Sequence, residues 1–82
     1  MSSARVRLPR GLDDLLRSEM ELCITQANLG QEDTEIAKRY LIDQWAQIDI
    51  AAELGWTRST VTLHVARIVS KVDVTARKLH IA

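Results

Sequence analysis

The chain has 82 residues, 46% of them hydrophobic and 27% charged, a balance that describes one globular domain and excludes a disordered segment. Its single cysteine, Cys23, excludes an internal disulfide and a cysteine-based zinc site, and no run is long and apolar enough to cross a bilayer. Net charge is zero, but residues 1–11 carry Arg5, Arg7 and Arg10 with no acid, residues 12–54 carry ten acids against three bases, and residues 55–82 carry five bases against Asp73. A basic start and a basic end around an acidic middle are more informative than the total.

The opening Met1-Ser2-Ser3-Ala4-Arg5 lacks the apolar run of a secretory signal, so the expected setting is the cytoplasm with no membrane partner. Residues 1–10 read as a flexible basic arm, punctuated by Pro9 and Gly11. A first helix is predicted over about 12–28, because Leu12, Leu15, Leu16, Met20, Cys23, Ile24 and Ala27 recur at three-four spacing. Asp13 and Asp14 would sit in its first turn, favouring the helix dipole, and Asn28-Leu29-Gly30 would stop it. Cys23 on that stripe reads as a small core residue.

A second helix is predicted over about 33–45, opened by Glu32 or Asp33 and burying Ile36, Ala37, Tyr40, Leu41 and Trp45, with Ile42 turned toward the first helix. A short third helix follows over 48–54, with Ile50, Ala51 and Leu54 inward and Gly55 ending it. Trp56 and Thr57 form a turn in which Trp56 covers the core edge and Thr57 caps the next helix by accepting from the N–H of Ser59 or Thr60. The fourth helix starts at Arg58 and buries Val61, Val65, Ile68, Val69 and Val72. Two continuations are open: Asp73 caps a separate final helix, or the stripe runs on through Ala76 and Leu79. No segment alternates with period two, so the class is all-α, with four to five helices in a single domain spanning 1–82.

Residues 47–69 have the layout of a helix-turn-helix. Ala51 is small where the second helix crosses, Gly55 supplies a backbone conformation that side chains resist, and Val61 locks the second helix against the first. An ordinary αα-hairpin shares these features. What separates the two is the surface left outside when the valine stripe is buried: Arg58, Ser59, Thr62, Leu63, Ala66 and Arg67, a small, polar, basic face with no acid. Such a face suits base edges in the major groove of duplex DNA. Arg58 fits a bidentate contact to guanine, Ser59 and Thr62 can donate to bases or phosphates, and Leu63 with the Thr62 methyl suits a thymine methyl. The alternative for Leu63 is packing against a neighbouring helix. Thr57 and the helix start favour a phosphate, Thr60 is a further candidate DNA contact whose plain alternative, like that of Ser59, is simple capping, and Lys71, Arg77 and Lys78 are candidate phosphate contacts further along.

These residues carry a resemblance. Ile50-Ala51, Leu54, Thr60-Val61, His64, Ile68, Lys71, Val74 and Arg77 resemble the pattern of LuxR-type DNA-binding domains, with Thr62 and Asp73 standing where that pattern usually has a basic residue and a glycine. Residues 35–72 are similar to the promoter-reading C-terminal domain of bacterial sigma factors, and residues 28–61 to short sigma-like regulators of phages and mobile elements. The resemblance implies a helix-turn-helix transcription regulator.

Other features have simpler readings. His64 lies near the buried stripe and suits packing or hydrogen bonding, His80 is isolated, and with Cys23 they form no metal-ligand set. No catalytic constellation or cofactor motif is present, so neither an enzyme nor a cofactor is expected. The acids of residues 13–53 read as a solvated face. The rival to a duplex-DNA reader is a protein-interaction module, in which the first helix and the acidic middle form a homodimer or dock on RNA polymerase or another regulator.

Overall fold

The fourth helix organises the domain. A computed structural model of the protein describes residues 11, 12 and 14–81. The basic arm, the dipole role of Asp13 and Ala82 lie outside the described residues. Four α-helices run in the order α1 (Arg17–Gln26), α2 (Gln31–Ala37), α3 (Gln47–Leu54) and α4 (Arg58–Lys78), and α2 passes directly into a π-helical turn, Lys38–Ile42. No strand occurs among the described residues, and the chain is all-α. No described helix is long and apolar enough to cross a membrane.

α4 is continuous for 21 residues, about 31 Å at 1.5 Å per residue. Of the two continuations the sequence left open, the unbroken one is adopted. Asp73 sits inside the helix and pairs with Arg77 one turn on, at 3.2 Å. Val61, Val65, Ile68, Val69, Val72 and Ala76 are all buried, whereas Leu79 falls beyond the helix and is exposed. The helix closes where His80 takes a positive φ and the Ile81 N–H returns to the Ala76 carbonyl at 2.9 Å.

α1 starts five residues later than the leucine spacing predicts. Gly11, at φ 103°, opens a turn that buries Leu12 outside any helix. Glu19 Oε1 then accepts the Leu16 N–H at 2.9 Å and begins the helix there, leaving Leu16 exposed. Met20, Cys23 and Ile24 are buried as predicted, and Asn28 takes the left-handed conformation after the helix end. Burial and the neighbouring Glu19 charge push the Cys23 thiol above its ordinary pKa, which suits an inert core residue.

α2 begins two residues earlier than expected, after Gly30, so Asp33 falls inside its first turn rather than ahead of it. It gives way to the π turn, whose wider winding carries the Asp43 N–H to the Lys38 carbonyl, 3.0 Å away. Tyr40 and Leu41, adjacent in sequence, are both buried there. The helical path stops at Ile42, short of Trp45, which packs half-buried against the core under the Arg39 guanidinium.

α3 and α4 are joined by three residues, Gly55, Trp56 and Thr57. Gly55 adopts φ 71°, the Trp56 N–H reaches the Ala51 carbonyl at 2.9 Å, and the Gly55 N–H reaches Ala52 at 3.4 Å. This is the paired closure that needs a left-handed residue after the last helical position. A Cβ on Gly55 would meet nothing within 4 Å, so the requirement is conformational and not spatial. Gly55→Ala should therefore cost about 1–2 kcal/mol in urea unfolding, and Gly55→Asn less. Ile68→Ala, which empties a fully buried site, should cost about 2–5 kcal/mol in the same measurement.

Candidate nucleic-acid interface

The turn delivers α4 with its start exposed. Thr57 caps it: Thr57 Oγ1 accepts the Thr60 N–H at 3.2 Å, the second of the two partners the sequence allowed, and lies 2.9 Å from the Thr60 hydroxyl. Both hydroxyls are thus engaged in forming the helix start. The backbone N–H groups ahead of Thr60 have no helical acceptor and point out of that end. Arg58, Ser59, Thr62 and Leu63 together line an open depression of about 560 Å3. Leu63 is 73% exposed, and no neighbouring helix covers it among the described residues. Ala66 continues the exposed face one turn on.

Thr62 departs from its expected role as a free donor. It is half-buried, and its hydroxyl lies between the Arg58 carbonyl, at 3.0 Å, and the side-chain amide of Gln47, the first residue of α3. One hydroxyl proton serves one acceptor. With the Gln47 amide turned so that its NH2 donates to Thr62 Oγ1, the hydroxyl donates onward to the carbonyl and both contacts hold. Gln47 is 1% exposed, and with its oxygen facing Thr62 the buried Nε2 has no hydrogen-bond partner among the described residues. Thr62 is therefore a polar link between α3 and α4.

Arg67 is likewise tethered. Its Nη2 lies 2.9 Å from Asp33 Oδ2, and His64 Nδ1 lies 2.8 Å from Asp33 Oδ1. The carboxylate thus takes one donor on each oxygen, and the 3.1 Å between Arg67 Nη2 and His64 Nδ1 is the approach of two donors converging on one anion. The His64 ring also lies against Trp56, with centroids 4.8 Å apart, so the cluster ties α2, the turn and α4 into one unit. Trp56 and His64 occupy the packing and hydrogen-bonding roles expected of them.

Asp33 corrects the reading of the acids as a solvated face, because it is only 8% exposed. It lies 31 and 34 residues from its partners, and no local pattern marks it. Burial pushes its pKa up, but the hydrogen bonds and charges of His64 and Arg67 outweigh that and hold it below the ordinary value of 3.8.

The remaining sequence-predicted residues lie apart from the exposed start of α4. Lys71, Arg77 and Lys78 are exposed on later turns of α4, about 20–30 Å along the axis from Arg58. Lys71 and Lys78 line a separate groove with Val74, Leu79 and the end of α1, and Arg77 is paired with Asp73. The eleven residues thus divide into a group at the helix start and a group at its tail.

Among the described residues no cluster of three His, Cys, Asp or Glu side chains could hold a metal ion. No protein-family model, curated protein or solved structure matches the chain.

A carboxylate whose pKa is lower folded than unfolded adds stability above its ordinary value and loses it as pH falls through the folded value. Urea unfolding should therefore show stability declining from about pH 4 downward, and Asp33→Asn should flatten part of that acid limb.

Proposed function

We propose that this protein is a sequence-reading regulator of transcription that inserts the first turns of α4 into the major groove of duplex DNA. One observation carries the reading: Arg58, Ser59 and Leu63 stand exposed together, with no acid among them, at the free end of a helix that α3 and the Gly55 turn hold in place. A helix start held this way can approach base edges without the protein body intervening. Arg58 takes guanine, Ser59 a base or phosphate, Leu63 a thymine methyl, and the free N–H groups at the helix start take a phosphate. Lys71, Arg77 and Lys78 serve phosphates outside the reading groove. The likeness to LuxR-type and sigma-like domains supports the same reading, with the cytoplasm as its setting.

Selection of bound duplexes from a random pool, followed by titration, tests it. Arg58→Ala should lose about 1–3 kcal/mol of discrimination at one base pair. Lys71→Ala or Lys78→Ala should weaken all sequences evenly and flatten the salt dependence. Unchanged discrimination in Arg58→Ala would overturn the assignment of the reading helix.

The second reading, a module that dimerises or docks on RNA polymerase, loses the apolar stripe of α1, which is spent on the domain's own core. It keeps the exposed Leu16, Leu22, Val74 and Leu79. Absence of binding to any duplex at low salt selects it.

A further inference from the structure

We infer that Asp33, a carboxylate of the acidic body, is a positioning residue that presents Arg67 to a DNA phosphate beside the reading face; this rests on the DNA reading proposed above. Arg67 lies one turn beyond Leu63, on the edge of α4 that faces α2. Its guanidinium uses Nη2 alone to reach Asp33, and its side chain remains 53% exposed. Nε and Nη1 make no hydrogen bond or ion pair among the described residues. An anchored Arg of this kind keeps a donor edge for a phosphate while its long side chain is held in one arrangement before binding.

The anchor is itself held firmly. Asp33 lies in the first turn of α2, is buried, and takes His64 on its other oxygen, and His64 rests on Trp56. The guanidinium is thereby placed relative to the α3–α4 turn and not left to its own rotamers. Asp33 would be a competitor of DNA if it occupied the whole fork of Arg67. It occupies one of the three nitrogens, and two donors already offset its charge.

This assigns an unusual sign to a substitution. Asp33→Asn is nearly isosteric and removes a negative charge, so repulsion alone predicts tighter DNA binding. Positioning predicts the reverse. With the full chain and the duplex it selects, titrated across a range of salt, Asp33→Asn should bind roughly threefold to tenfold more weakly and lower the slope of log K against log salt by about 0.9, the share of one phosphate contact. Arg67→Gln should lower the slope equally, and the double variant should bind no more weakly than Arg67→Gln alone.

Tighter binding by Asp33→Asn overturns the inference. So does weaker binding at an unchanged slope, which marks a purely structural role. If Asp33→Asn fails to fold, Arg67→Lys decides: it keeps the charge but has one nitrogen where the guanidinium has three, so an ammonium drawn to Asp33 leaves no separate donor edge aimed at the phosphate; a reduced slope supports the inference and the full wild-type slope overturns it. Failure of the wild-type chain to bind any duplex overturns the DNA reading itself, and this inference with it. Normal wild-type binding with Asp33→Asn unchanged overturns the inference alone.

Discussion

Val61, Val65, Ile68, Val69 and Val72 are branched at Cβ and make a poor helix in isolation. Each costs up to about 0.7 kcal/mol against alanine in a helix, whereas burying such a side chain stabilises by about 1.5–3 kcal/mol. The conformation of α4 is therefore a consequence of packing. The helix exists because α1, α2 and α3 cover that stripe, and the same covering decides which residues are left outside. Everything else in the domain follows from burying one face of α4.

That constraint also sets the division of labour around α4. α3 packs on its first half through Ile50 and Ala51 and contributes Gln47 to Thr62, so the helix start is held from below by apolar contact and a polar link. α2 packs beside it and contributes Asp33, which reaches His64 and Arg67 on the next turn. Acidic and basic parts of the chain meet at this point. The segregated charge read from the sequence is real along the chain, but in three dimensions one of its acids is used inside the basic region.

Much of the architecture was legible because it rests on local physics. The valine spacing marks the inner face of α4, Gly55 marks the left-handed turn, and Thr57 marks the cap; each involves residues a few positions apart. The misplaced boundaries share one cause. Leu12, Leu15 and Leu16 fit a helical stripe, yet the chain turns at Gly11, buries Leu12 outside any helix and starts α1 at Arg17 with the Glu19 side chain on the Leu16 N–H, and leucine spacing reports neither the turn nor the cap. Likewise Trp45 fits the stripe of the second helix, but the π turn at Lys38–Ile42 changes the winding, and winding is not visible in spacing.

The candidate site divides along the same line. The sequence by itself determined which residues α4 turns outward from 58 to 67, since a buried stripe of known period leaves only one opposite face. It also determined that this face carries no acid of its own. Tertiary structure alone decided that Thr62 is engaged by Gln47, that Arg67 is anchored by Asp33, and that Lys71, Arg77 and Lys78 stand far down the helix from Arg58. These are contacts and distances between segments 15 to 34 residues apart, or between the two ends of a rod whose continuity past Asp73 depended on its packing. Periodicity reports the faces of one helix; only the packing of several helices decides what each face meets.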